Sequence, residues 1–351
     1  MTNSAKAQLI TIADSFEKAY FDHFPEQGLF WGKVDVAIDR FTDHSLTALQ
    51  QWHAKEEQFL HQLNQLPEAD LSHSTEHITY LLLKQHLENN IADRICKNEL
   101  WSIDPLLGWH NTLTMAAEKQ PTNTPEHLQA ALTRWQTVDK IVEDEIQNLT
   151  MGLKSGYSAP KPAVERVIKQ FHLLVNSSIA DSPFFEIAKK ADSAEFKEKF
   201  SEIIEKKIYP ALTRYLVFLE KDYLPHAREE IGLSALPQGK VCYQAKIKKE
   251  TTLDISPEEI YQYGLKYMDQ LINEIMTIGQ KEFGTHDLVE IFHQAKNNPK
   301  YLFSTEQEIL AYNQAALERA IKKSPDWFDM MPHAEGILKP YPLHQAKTGA
   351  P

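Results

Sequence analysis

The sequence predicts an all-α protein, a multi-helix array, on three observations. Apolar residues recur at three- and four-residue spacing along nearly the whole chain, the period that gathers them on one face of a helix. No extended alternation of apolar and polar residues marks a strand. Several helix starts are written as a small hydroxyl residue followed by proline, at Thr124-Pro125, Ser182-Pro183, Ser256-Pro257 and Ser324-Pro325. The hydroxyl can cap exposed N–H groups, and proline suits the first helical turn because its missing N–H would have no partner there.

Taken in order, the pattern predicts helices at about Ala5 to Phe24, Leu46 to Leu66, Thr75 to Glu99, Pro125 to Gly152, Pro160 to Ile179 and Ala194 to Leu224, then Pro257 to Phe283 and Thr305 to Lys323. Shorter helical pieces fill the gaps. The loop Lys154-Ser155-Gly156-Tyr157-Ser158-Ala159-Pro160 has the turn chemistry of a linker or of an interhelical loop. Residues 1–152 therefore read as an N-terminal helical region and 153–343 as a helical region continuous with it. The polar residues 344–351 read as a loose tail.

The stretch from Leu236 to Leu265 is the least explained by helical periodicity. Pro237 and Gly239 make a turn, Tyr243 follows on a short amphipathic segment, and the β-branched pair Thr251-Thr252 interrupts it. A new helix starts at Ser256-Pro257-Glu258-Glu259, with serine as cap, proline at the first position and Glu259 placed to return a bond to the cap. Ile260, Tyr267, Leu271, Ile275 and Ile278 fall on one side of that helix, which predicts an inner packed element ended by Gly284.

Length and composition set bounds on function. A chain of 351 residues can bury a large core. A net charge of −12 excludes the concentrated basic surface that nucleic acid demands. No apolar run approaches the roughly 18 residues of a membrane span, and the N-terminus lacks a secretory signal, so the expected address is cytoplasmic. Two cysteines, Cys96 and Cys242, make no disulfide framework and fit a reducing compartment, although a single bridge between them stays open.

The sharpest local motif is His73-Ser74-Thr75-Glu76-His77, two histidines around a glutamate in the order of an inverted zincin. His73 and His77 would share a helix face as zinc ligands, Glu76 would polarise a water, and Glu143 or Glu145 downstream would supply the third ligand. The competing reading is a helix start, capped by Ser72 or Ser74 with Glu76 at the positive end of the dipole. Tyr243, Thr251 and Thr252 are candidate substrate contacts, with tyrosine as hydrogen-bond donor; the alternative is a packed tyrosine and two threonines shaping a turn. Neither a nucleophile elbow nor a phosphate-cradling glycine loop occurs, and Cys242 has no evident histidine partner.

The order Gly239, Tyr243, Thr251-Thr252, Ser256-Pro257-Glu258-Glu259-Ile260 and Gly264-Leu265 resembles the bacterial domain of unknown function 885 family. So do Ser158 to Ile168, Tyr209-Pro210, Tyr223-Leu224-Pro225, Leu317-Glu318-Arg319, Trp327-Phe328 and Pro340-Tyr341-Pro342. The resemblance is nearly continuous from about Gly152 onward and loose before it. It implies similarity to zincin-type metallohydrolases, in which a later helix with a His-Glu, three-residue gap, His pattern holds the metal; many relatives look exported. This sequence ends before that segment, so the leading expectation is the N-terminal helical portion of a zincin-like, peptidase-like hydrolase lacking its metal-binding half. It would form one wall of a cleft for a peptide substrate, hold no cofactor itself, and take zinc only with the missing half. An uncovered apolar face would favour self-association. The competing expectation is a stand-alone helical binding or interaction protein without catalysis.

Overall fold

The computed structural model describes residues 2–72 and 74–340, and among them every regular element is helical. Two compact units divide the chain, Met1–Pro257 and Glu258–Pro351. The loop at 154–160 lies within the first, where the backbone N–H of Ala159 donates to the Tyr223 hydroxyl at 2.8 Å.

The first unit begins with α1 (Thr2–His23), α2 (Pro25–Phe30), α3 (Leu46–Asn64) and α4 (Thr75–Asp93). Leu9, Leu63, Leu71 and Leu87 are buried together, because the apolar stripes of α1, α3 and α4 face one another. A ring of aromatics closes the far end of this layer, with His23 stacked on Trp52 at 5.0 Å and Phe16 edge-on to Phe59 at 5.5 Å. The predicted helix to Glu99 stops earlier, at Asp93, where 3-10 turns and a left-handed Lys97 (φ 46°) redirect the chain.

The larger core is built by α5 (Trp109–Lys119), α6 (Pro125–Trp135), α7 (Val138–Lys154), α8 (Lys161–Val175), α9 (Glu186–Lys190), α10 (Ala194–Ile203) and α11 (Tyr209–Phe218). Trp135 sits at its centre, against Phe41, Phe184 and Phe200. The helix expected from Pro125 to Gly152 is two, because the Thr137 hydroxyl bonds the Arg134 carbonyl at 2.7 Å and draws it from the helical ladder. At the end of α7, Gly152 touches the chain at Leu100 so closely that a Cβ would lie 1.8 Å from its carbonyl oxygen.

The rod expected from Ala194 to Leu224 is continuous but under-wound twice, in π turns at Ile204–Ile208 and Leu219–Tyr223. Each ends just before a proline, Pro210 and Pro225. A proline ring clashes with the carbonyl four residues back and cannot donate to it, and a wider turn relieves both faults. Beyond the rod, α12 (Gly239–Thr251) returns to α4, where Lys246 and Lys249 each lie 3.0 Å from the Asp93 carboxylate. Cys96 and Cys242 form a disulfide at this junction, which closes the alternative left open by the sequence and corrects their reading as reduced thiols.

The second unit contains α13 (Pro257–Phe283), α14 (Leu288–Asn297) and α15 (Glu306–Lys323). Gly279 of α13 meets Ile291 of α14, with a would-be Cβ 2.1 Å from the isoleucine Cδ1, and these two are the buried residues among the described residues of this unit. The expectation that α13 packs as an inner element is corrected: Tyr267 and Ile278 of the predicted face are 60% and 56% exposed, since α14 covers the helix only near Gly279. The closing Tyr341-Pro342 and the tail 344–351 lie outside the described residues. Of the four hydroxyl-proline starts, Thr124 caps α6 through the His127 N–H at 3.2 Å and α13 begins at Pro257 as predicted. Ser182 is buried ahead of a short 3-10 turn, and Ser324 both ends α15, its hydroxyl bonded to the Ala320 carbonyl, and opens a 3-10 turn, Ser324–Asp326, in place of a new α-helix.

Candidate functional site

Among the described residues, those that the sequence singled out are engaged in separate local contacts. Tyr243 stands exposed on α12, one residue after the disulfide. The Thr251 hydroxyl bonds the Ile247 carbonyl at 2.6 Å and receives the Leu253 N–H at 3.1 Å, while Thr252 adopts the left-handed conformation (φ 61°) that ends α12. Both threonines thus shape the turn, and Cys242 carries no free thiol.

In the inverted-zincin motif, His73 lies outside the described residues. Glu76 stands in the first turn of α4, 3.3 Å from the Lys6 ammonium, and bonds to its own backbone, Ser74 and Lys6 hold its carboxyl below the usual range. His77 turns to Glu68 at 3.2 Å. Glu143 receives the Gln147 amide and Glu145 bonds His44, so neither is spent on this motif. Among the described residues no group of three or more His, Cys, Asp or Glu could hold a metal ion.

A cavity of about 240 Å³ in the first unit gathers a different set. Its wall is Phe24 before α2, Glu26 and Gln27 on α2, Thr42 and His44 on the following loop, Leu107, Trp109, Thr112 and Leu113 at α5, and Ile141 on α7. Glu26 is buried and spends both oxygens: Oε1 accepts the Thr42 N–H at 2.8 Å and Oε2 its hydroxyl at 2.6 Å. Behind it lies the fully buried Arg134, with a guanidinium nitrogen 3.4 Å from Oε1. Arg134 also lies over the Phe41 ring at 4.5 Å and donates to Gln120 at 3.2 Å. Burial works against its cation, and the charge of Glu26 offsets that.

His44 is the cavity's titratable group. Its Nδ1 meets Glu145 Oε1 at 2.5 Å, and the Asn148 amide fixes its backbone by donating to the carbonyl at 2.9 Å. Burial would lower its pKa, but the bond to Glu145 and the charges of Glu145, Glu26 and Asp144 carry it above the ordinary value. Trp109 is braced from behind by Tyr215, edge-on at 5.0 Å, and by Phe171 at 5.7 Å. Burial, then Glu145, hold the Tyr215 hydroxyl well above its ordinary range. An imidazole oriented by a carboxylate can donate or accept at its other nitrogen, so the cavity can bind a polar head and shelter an apolar body. Sequence reasoning missed this set, apart from Glu145 in another role, because its members come from separate segments with no spacing rule.

The family described as "Bacterial protein of unknown function (DUF885)" matches residues 25–351. The chain belongs to the DUF885 family. The match reaches well N-terminal of Gly152, where the nearly continuous resemblance began, and takes in every residue of the cavity wall except Phe24. No curated protein sequence matches this DUF885 chain. Among solved structures, it is similar to that of a candidate lipoprotein from Colwellia psychrerythraea, with a TM-score of 0.81 at 19% identity, over 99% of this chain and 64% of that one. The DUF885 chain therefore spans less than two thirds of that protein's length, and at this identity the likeness concerns the fold.

Proposed function

We propose that residues 1–351 form the helical scaffold of a zincin-type, peptidase-like hydrolase whose metal-binding helix belongs to further polypeptide. The observation that carries this reading is the coverage, 99% of this chain against 64% of the solved relative. The second unit supports it: Tyr263, Phe292, Trp327 and Phe328 are among many large apolar side chains exposed over residues 258–340, more than a finished surface usually displays. Further helices laid on this face would bury it, and the scaffold would then form one wall of a peptide cleft. Without that cover the same face drives self-association.

The disulfide joining Cys96 to Cys242 weighs toward an oxidising compartment rather than the cytoplasmic address expected from sequence, and the description of the Colwellia protein as a lipoprotein points the same way. No helix among the described residues is long and apolar enough to cross a membrane.

The test reads the genomic sequence after codon 351 and expresses residues 1–351 with and without it. The proposal expects an in-frame or frameshifted continuation encoding a His-Glu, gap, His helix, and one zinc per chain with peptide hydrolysis only when that continuation is present. Unrelated downstream sequence would instead favour a helical interaction protein. Zinc retained by residues 1–351 after dialysis and lost in His77→Ala would restore the inverted-zincin reading.

A further inference from the structure

We infer that the cavity between Phe24, His44, Trp109 and Ile141 is a binding site for a small monocarboxylate with an aromatic or branched apolar body, its carboxylate received by His44 Nε2 and the Thr112 hydroxyl. This stands apart from the proposed hydrolase scaffold, which makes no use of the cavity.

Several polar groups at the cavity are already spent. Glu26 has both oxygens engaged by Thr42, and the charge of Arg134 stands behind it. His44 Nδ1 is committed to Glu145. Left over are His44 Nε2, the Thr112 hydroxyl and the Gln27 amide, on three residues of the cavity wall, and these groups make no hydrogen bond within the described residues. The unspent groups are thus donors or can act as donors, and the carboxylate on the wall is already satisfied, so the complementary head group is an acceptor.

Charge selects among acceptors. With Glu145 on Nδ1 and Glu26 and Asp144 nearby, the imidazole takes up a second proton more readily than a free histidine, and the Lys140 ammonium spends itself on Asp144 at 2.7 Å. With His44 protonated, the four charges of His44, Glu145, Glu26 and Arg134 sum to zero. An imidazolium N–H then offers a charge-assisted bond, stronger for a carboxylate than for a neutral amide. The rest of the wall, Phe24, Leu107, Trp109, Leu113 and Ile141, is apolar, and Tyr215 and Phe171 hold the Trp109 ring in place. At about 240 Å³ the space takes one molecule of on the order of ten non-hydrogen atoms, given roughly 30 Å³ for each water-sized group.

The probes are phenylacetate, phenylacetamide and phenethylamine, added to the full chain with 15N-labelled histidine, the His44 ring signals being assigned by their loss in His44→Gln. The expected result is a saturable shift of those signals by phenylacetate with Kd on the order of 0.1–1 mM, at least about tenfold tighter than phenylacetamide, with no binding of phenethylamine. His44→Gln should weaken phenylacetate binding by about tenfold or more, followed by calorimetry. Thr112→Val, which keeps the shape and the histidine signal, should weaken it by several fold. The inference is overturned if none of the probes moves the His44 signals, if the amide binds as well as the acid, if the amine binds best, or if phenylacetate affinity survives both substitutions.

Discussion

At the scale of single residues, His44 and His23 set opposite limits on stability. The folded protein raises the His44 pKa above 6.5, so the native state holds a proton that the unfolded chain releases. Its stabilisation is complete below pH 6.5 and is lost as pH rises through the folded value. His23 behaves inversely. Burial, then Lys55, lower its pKa to about 4, so stability falls as pH drops from 6.5 toward 4, where the unfolded chain takes up a proton that the native state refuses. Denaturation midpoints measured across pH should therefore decline on both sides of neutrality, and His44→Gln should flatten the decline above pH 6.5 alone; an unchanged alkaline limb would show that His44 does not hold its proton. The Glu26–Arg134 pair is the other residue-scale test. Glu26→Ala would strand a fully buried guanidinium whose Nε and one Nη already lack hydrogen-bond partners, at a cost of roughly 3 kcal/mol in chemical denaturation. The double replacement Glu26→Leu with Arg134→Met should recover most of that loss. None of these roles was legible in the sequence, because Glu26, His44, Arg134 and Glu145 look like ordinary surface residues of separate helices and loops until the fold brings them together.

At the scale of elements, the sequence was more open. The 3.6-residue period located the long helices, and proline marked the starts of α6 and α13. What it could not show is where a local bond or a close contact overrules the period: the Thr137 hydroxyl that splits one predicted helix, the π turns ahead of Pro210 and Pro225, and the Ser324 hydroxyl that closes α15. Gly152 is the same kind of position. It follows the helical pattern of α7, yet its lack of a Cβ is what admits the Leu100 carbonyl. Gly152→Ala should destabilise by about 2 kcal/mol, although alanine favours an isolated helix; a stabilised variant would mean that the two segments do not touch. The disulfide ties the 3-10 turn that follows α4 to α12 across a separation of 146 residues, and its reduction should lower stability by roughly 3 kcal/mol through greater freedom of the unfolded chain. Mass analysis after alkylation without reductant settles whether the bond forms, since a bridged chain takes up no label.

At the scale of the whole chain, burial is distributed unevenly between the two units, and this was hidden from the sequence for a physical reason. An amphipathic stripe says that a helix has a face to bury, not that the partner lies in the same 351 residues. The stripe on α13 reads as strongly as that on α7, but Val138, Ile141, Val142 and Leu149 of α7 are inside a core while Tyr267 and Ile278 of α13 face outward. Local opening is cheap where few apolar contacts must be broken, so the helices after Pro257 should open far more often than the rod at Ala194 to His226. Limited proteolysis of the full chain should accordingly cut first within residues 258–340, leaving a resistant fragment that ends near Pro257 and retains the Cys96–Cys242 link. Adding the polypeptide encoded downstream should suppress those cuts if it covers the α13 face as the scaffold reading requires, because burying the face raises the free energy of opening. Cuts that fall equally in both units would mean that the second unit carries more of its own stability than the contact of Gly279 with Ile291 provides.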